Sequence, residues 1–168
     1  MGNRTAKLCI LPVLFFWCLA ASESTVPASE EGTFAGTWVA NGSKEVLAMG
    51  SEREASLFKL SGQVHLTDKI GKAGDFWAEC VGFADSETGS DIRCVWRSLG
   101  GDEIYLTMKG TRMEKGSSIT GSITGGTGAD KGITGTLRFT WSMIFEQENN
   151  ETGIGGFSND VSGTYKLP

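Results

Sequence analysis

Few residues in this chain have side chains that could carry chemistry, and they lie far apart in the sequence. The single histidine, His65, lies on the polar side of an alternating segment. It could act as an acid/base group at a barrel mouth, or it could be a solvated strand residue. A metal site is not expected because His65 supplies the only imidazole. The nucleophile pattern G-x-S-x-G is also absent, so no catalytic set and no cofactor are predicted.

A glycine-rich stretch, ITGGTGADKGITGTLRFTW at 123–141, raises the question of phosphate binding. A phosphate loop needs the order G-x-x-x-x-G-K-[ST] followed by a helix, whereas residues 126–134 read GTGADKGIT and lead into a period-two pattern. Lys131 also stands where the dinucleotide motif needs its third glycine. We therefore predict a structural turn with Asp130 and Lys131 exposed. Its glycines are Gly125, Gly126, Gly128, Gly132 and Gly135.

Acidic residues cluster at Asp85, Glu87 and Asp91, with the alternate spacing of calcium ligands. A calcium loop also needs a glutamate at its twelfth position, where this chain has Trp96. The cluster therefore indicates a solvated acidic turn.

Alternation of apolar and polar residues dominates the sequence and predicts β-strands. About eight such segments follow one another, joined by polar turns, while helical periodicity is nearly absent. The segment 44–49 is ambiguous between a strand and a helical turn. Eight antiparallel strands in one domain predict a closed β-barrel, with a two-layer sandwich as the alternative. Glycines within several strands favour the barrel because they permit sharp bends.

Two cysteines remain outside the first twenty-one residues. If the segments 76–84 and 92–98 form a hairpin centred near Glu87, Cys80 lies directly opposite Cys94. Facing residues of an antiparallel pair lie within disulfide range, so a Cys80–Cys94 bridge is predicted, with two reduced buried thiols as the alternative. The same register places Trp77 opposite Arg97, where the guanidinium could stack on the indole.

Several polar side chains on these strands could line a polar interior and bind a ligand. Which face of each strand points inward does not follow from the alternation. The candidate ligand-binding residues are His65, Glu79, Arg93, Arg97 and Tyr105.

The N-terminus has the order of a secretory signal: a basic start with Arg4 and Lys7, an uncharged run at 8–21, and small residues at its end. The run is too short to span a bilayer as a helix, so cleavage is expected rather than an uncleaved membrane anchor. We predict a signal peptide at 1–21, a disordered leader at 22–32, one domain at 33–168, and a secreted or periplasmic location.

Charge argues against two classes of partner. The chain has 15 lysines and arginines against 20 acids, and the signal segment holds two of those basic residues and no acid. The remaining 13 basic and 20 acidic residues give a net charge of −7, which repels nucleic acid and anionic lipid heads.

The GGTG-x-x-x-G-x-x-G pattern from Gly125 to Gly135 resembles that of the allene oxide cyclase and dirigent-like barrels. Cys80-Val81-Gly82, Cys94-Val95-Trp96 and Gly101-Asp102 are similar to secreted bacterial relatives of that superfamily. Together these matches cover about residues 76 to 141. The relatives often carry an aromatic or basic residue just after GGTG, whereas this chain has Ala129 and Asp130. No catalytic residue of the plant enzymes can be carried over.

The aromatic residues and the lack of a catalytic set favour a barrel that binds a small, largely apolar molecule. The resemblance implies an alternative, a cyclase or dirigent-type enzyme that steers a reactive intermediate by shape, and it also implies homo-oligomers. A filled structural barrel is the third hypothesis.

Overall fold

A computed structural model describes residues 29–70, 73–147 and 152–168 of the chain. The predicted signal peptide, 1–21, and residues 22–28 of the predicted leader lie outside these ranges. The first strand begins at Glu31, two residues before the predicted start of the domain. Glu30 joins the fold as well, since its carbonyl accepts a 2.6 Å hydrogen bond from the Leu167 amide. Its carboxylate accepts one of 3.0 Å from the Tyr165 hydroxyl.

Eight antiparallel strands form one closed barrel in which each strand pairs with its neighbours in sequence and the last pairs with the first. The predicted all-β barrel is confirmed, and the sandwich alternative is wrong. The strands are β1 (Glu31–Ala48), β2 (Glu54–Ile70), β3 (Ala73–Asp85), β4 (Gly89–Ser98), β5 (Glu103–Arg112), β6 (Ser117–Gly126), β7 (Thr134–Gln147) and β8 (Thr152–Lys166). A 3-10 helix of three residues, Gly128–Asp130, lies between β6 and β7.

The ambiguous segment 44–49 continues β1 as a strand as far as Ala48, where it pairs with Glu54 of β2. This extension matters for the site because strand side chains alternate between faces. The inward face of β1 runs from Phe34 through Trp38 and Ala40, each buried, to Lys44.

The apolar side of each strand faces the barrel interior, which the alternation alone left open. Aliphatic and aromatic side chains from every strand point into the interior, and burying this surface is the main favourable term for folding. The most deeply buried large side chains include Phe34, Phe76, Trp96, Ile104 and Leu106.

The β3–β4 hairpin has the predicted register. Cys80 pairs with Cys94, and Trp77 pairs with Arg97. The Cys80–Cys94 disulfide is confirmed, with Cα atoms 4.1 Å apart. Both cysteines are buried and face inward, so the bridge joins two neighbouring strands inside the barrel.

Two glycines in the strands make room for aromatic rings on the neighbouring strand. Phe58 of β2 pairs with Gly82, where an added Cβ would lie 2.3 Å from the ring. Phe34 of β1 pairs in the same way with Gly163 of β8, and an added Cβ there would lie 2.4 Å from the ring. Glycine lets a strand bend strongly, as a small barrel requires, and the ring of the neighbouring strand covers the glycine.

Candidate functional site

A cavity of about 360 Å³ occupies one end of the barrel. We call this the open end. There β1, β3, β5 and β7 end and β2, β4, β6 and β8 begin, and the opposite end is the closed end. The wall of the cavity is largely apolar, with a few serines such as Ser56 and Ser90, as in pockets that hold small molecules. Wall residues include Phe58, Leu60, Cys80, Ile92, Phe139 and Ile154.

The floor of the cavity is an aromatic cluster around Trp38. Its ring meets those of Phe139 and Trp141 edge to face, with centroids 5.2 and 5.5 Å apart. On its other side it meets Trp96 at 6.5 Å, and Trp96 continues the cluster into the closed end. Neither the Trp38 nor the Trp96 indole nitrogen has a hydrogen-bond partner among the described residues. The floor is therefore held together by contacts between rings, and aromatic rings favour edge-to-face pairs of this kind.

The rim of the cavity is polar, and one ion pair lies directly over the apolar wall. Lys44, on the inward face of β1, pairs with the carboxylate of Glu146 on β7. The Lys44 side chain is only 14% exposed, whereas that of Glu146 is 41% exposed. Three more charged residues of the rim, Glu54, Arg112 and Glu114, are exposed to solvent.

A second group of charges braces the connections around the rim. Arg53 in the β1–β2 connection donates to Asp85 at the end of β3 over 2.7 Å and reaches Glu87 at 2.9 Å. Asp85 is buried, and it also accepts a hydrogen bond of 2.8 Å from the Glu87 amide. The hydrogen bond from Arg53 and those from the turn amides hold the pKa of Asp85 below its usual value. The predicted solvated acidic turn is therefore wrong for Asp85, which is 7% exposed, although Glu87 and Asp91 are exposed. These contacts join the β1–β2 connection to the β3–β4 connection.

His65, the predicted acid/base candidate, lies on the outer face of the barrel. Its Nδ1 atom is 2.6 Å from a carboxylate oxygen of Asp75, and both side chains are well exposed. Arg93 also lies on the outer face, where its guanidinium donates to the carbonyl of Ile92.

Glu79, Arg97 and Tyr105 form an outer network together with Glu103. The Arg97 guanidinium donates to Glu103 at 2.9 Å and to Glu79 at 3.3 Å, so it binds carboxylates rather than the indole of Trp77. Hydrogen bonding to Arg97 lowers the pKa of Glu103, and hydrogen bonding to Glu103 raises that of Tyr105. The polar interior that we considered for these residues is therefore wrong. A ligand-binding role for them stays a prediction that concerns the outer surface.

The glycine-rich stretch forms the β6–β7 connection at the closed end. Gly128 has a φ of 55°, and a Cβ there would collide with Asp102, whose carboxylate accepts a hydrogen bond from the Ala129 amide. Asp130 was expected to be exposed, and this is wrong, because it is only 5% exposed under the turn. Burial, together with the nearby charge of Asp102, raises the pKa of Asp130.

Within residues 29–70, 73–147 and 152–168, no three His, Cys, Asp or Glu side chains are grouped so that they could hold a metal ion. No helix in those ranges is long and apolar enough to cross a membrane.

Sequence reasoning missed Lys44 and Glu146. One signal was available for Lys44: it lies six residues after Trp38 and thus on the same face of a continuous strand. Its pairing with Glu146 had no such signal, because the two residues are about a hundred positions apart and meet only when the barrel closes.

A closed eight-stranded antiparallel barrel with an apolar cavity at one end is the class of protein defined by this structure. The eight-stranded antiparallel barrel expected from the sequence is confirmed, whereas membership of the dirigent-like superfamily stays a prediction. Among solved structures, the chain is similar to that of a pterocarpan synthase dirigent protein, with a TM-score of 0.48 and 10% sequence identity. The alignment covers 83% of this chain and 88% of the other. No family model and no curated protein matches the sequence.

Proposed function

We propose that the protein binds a small, largely apolar molecule in the cavity at the open end. The observation that supports this most directly is an apolar, aromatic-walled space of about 360 Å³ within the barrel, surrounded by a polar rim. A space of this size falls in the range of small-molecule pockets, which combine apolar walls with a few polar groups. An apolar ligand would gain from leaving water for this wall.

The experiment is fluorescence titration with a neutral apolar probe, N-phenyl-1-naphthylamine. Tryptophan emission gives a second signal beside that of the probe, because a ligand on the cavity floor quenches Trp38 and Trp141. We expect saturable, one-to-one binding and a ligand-dependent rise in melting temperature.

Two serines on β2 offer a matched pair of variants. Ser56 lines the cavity, whereas Ser61 lies on the outer face of the same strand, and both are half-buried. Ser56→Phe should fill the cavity and abolish probe binding, while Ser61→Phe should leave it intact. Equal binding by both variants would place the probe on the outer surface and remove the support for this proposal.

Binding alone does not separate a carrier from an enzyme of the cyclase or dirigent kind. The charged groups that line this cavity lie at its rim rather than on its wall, and this favours binding. Recovery of a chemically altered ligand after incubation would favour the enzyme instead.

We also propose that the protein is exported to an oxidising compartment. The signal-like N-terminus and the Cys80–Cys94 bridge support this, because stable disulfides persist mainly outside the cytosol. Mass spectrometry of the protein purified from its source tests both features. We expect loss of about the first 21 residues and an oxidised mass. A full-length, reduced protein would contradict export.

A further inference from the structure

Lys44 holds a special position among the charged residues around the cavity. Among the described residues, the basic side chains that line the cavity are Lys44 and Arg112. Arg112 is exposed, whereas the Lys44 side chain is 14% exposed. The aliphatic stem of Lys44 therefore lies along the barrel wall and presents its ammonium at the top of the apolar space.

The partner of Lys44 is more exposed to solvent than Lys44 itself. The Glu146 side chain is 41% exposed, whereas that of Lys44 is 14% exposed. An ion pair with an exposed partner contributes little to stability, because solvent competes for the carboxylate. An ammonium group also has three donors, so Lys44 could accept another oxyanion beside Glu146 or in its place.

The space beneath this ammonium is lined by flat rings. Trp38, Phe58, Phe139 and Trp141 all line the cavity, and the disulfide sulfur of Cys80 adds to the wall. Such walls suit a compact ring system better than a strongly polar molecule.

From this arrangement we propose that the ligand is a compact aromatic molecule with one oxyanion group, and that the oxyanion replaces Glu146 as the partner of Lys44. This inference rests on the proposed function and assigns a chemical class to the ligand. The aromatic body lies on the cavity floor, and the carboxylate or sulfonate lies at the rim.

Other acids at the rim oppose an anion, but they do so weakly. Glu54 and Glu114 are exposed, so water and salt screen their charge. Asp85 is already neutralised by Arg53 at 2.7 Å. The Lys44 side chain is only 14% exposed, so its charge is screened less than these exposed charges and dominates at the position of the ligand head.

The test uses two probes with the same anilinonaphthalene body. 1-Anilinonaphthalene-8-sulfonate carries a sulfonate, and N-phenyl-1-naphthylamine lacks it. We expect the wild-type protein to bind the sulfonate more tightly. Lys44→Met should weaken sulfonate binding about tenfold, as expected for loss of one charge-assisted hydrogen bond. The same variant should still bind the neutral probe saturably, which shows that it has folded, and the ratio of the two affinities isolates the contact with the sulfonate.

Two further variants sharpen the result. Glu146→Gln frees Lys44 from its partner and should raise the affinity for the sulfonate about threefold, in the range of a partly exposed ion pair. Lys59→Met removes the same charge from the neighbouring strand, but Lys59 faces outward beside Ser43, so this control should leave both affinities unchanged.

The outcomes separate this inference from the proposed function. If wild type fails to bind the neutral probe, the cavity is not a ligand site and the proposed function fails. If the neutral probe binds but Lys44→Met does not alter the preference for the sulfonate, only the oxyanion inference is overturned. It is also overturned if Lys59→Met matches the effect of Lys44→Met, because that effect would come from net charge.

Discussion

The two ends of the barrel are built from the same eight strands, yet one end is filled and the other holds a cavity. At the closed end, Phe34, Phe76 and Trp96 meet across the interior, with Phe34 and Phe76 centred 6.4 and 5.9 Å from Trp96. At the open end the inward positions include small residues such as Ser56 and Ser90. Side-chain volume at inward positions, rather than strand number or register, therefore decides where a barrel of this size has space for a ligand.

The comparison also separates stability from binding. Residues of the closed end make the largest buried contacts. Residues of the open end border the cavity and therefore lack packing contacts on that side. Substitutions at the closed end should therefore change the free energy of unfolding most, and those at the open end should change ligand affinity most.

The largest effect is expected for Trp96→Ala at the closed end. Trp96 is fully buried, and its removal should destabilise the protein by about 3–5 kcal/mol through lost contacts and a new cavity. Trp141→Ala at the open end is the matched change. It should cost about 1–2 kcal/mol, because that ring is already partly in water. Urea unfolding measures both, and equal costs would show that the open end is packed as tightly as the closed end.

The disulfide should contribute about 3 kcal/mol, because it closes a short loop between residues 14 positions apart. The double variant Cys80→Ala/Cys94→Ala should lower the urea midpoint accordingly, and reduction of the wild-type protein should do the same. Since Cys80 also lines the cavity, the double variant should bind the neutral probe with altered affinity. An unchanged midpoint would mean that the closed barrel alone fixes this strand pair.

Glycines of two connections at the closed end should differ in their tolerance of alanine. Gly101 and Gly128 both have positive φ, so alanine costs about 1 kcal/mol or more at each. At Gly101 an added Cβ meets nothing within 4 Å, whereas at Gly128 it would lie 1.7 Å from the Asp102 carboxylate. Thermal melts should show the greater loss for Gly128→Ala. The reverse order would mean that Asp102 moves aside freely.

The two ends should respond in opposite ways to acid. The pKa of Asp85 is lowered in the folded state, so its stabilising effect is present above its unfolded pKa of about 3.9 and is lost as the pH falls through its folded value. The pKa of Asp130 is raised, so the folded state gains stability as the pH falls through that raised value toward about 3.9.

Asparagine variants measured by urea unfolding across pH 2–7 separate these contributions. Asp85→Asn should destabilise at neutral pH, and its difference from wild type should disappear in strong acid. Loss of the Asp130 charge in Asp130→Asn should not lower the free energy of unfolding at neutral pH. Any increase over wild type should shrink on acidification. Parallel pH profiles for the two variants would contradict the opposite directions of these shifts.

The smallest effect is expected on the outer face. His65 and Asp75 are both exposed, so His65→Gln should change the free energy of unfolding by less than about 0.5 kcal/mol. Binding of the neutral probe in the cavity should not change, because His65 points away from the interior. A clear loss of binding would instead place a ligand site on the outer surface.

By itself the sequence determined which segments form strands, that neighbouring strands are antiparallel, and which cysteines form the disulfide. Alternation with period two specifies strands locally, and a short hairpin centred at Glu87 places Cys80 opposite Cys94 by counting alone. Each of these features depends on residues that are close together in the chain. The same locality explains why the β3–β4 register could be predicted residue by residue.

Only the tertiary structure decided which face is inside, where space remains and which distant charges meet. The burial of Asp130 depends on packing around the β6–β7 turn, and the Lys44–Glu146 pair depends on the closure of β1 onto β8 and β7. Alternation is symmetric between the two faces of a strand, so it could not place Glu79, Arg97 and Tyr105 outside. Cavity volume depends on how side chains from several strands pack together, so it cannot be predicted from the pattern along one strand.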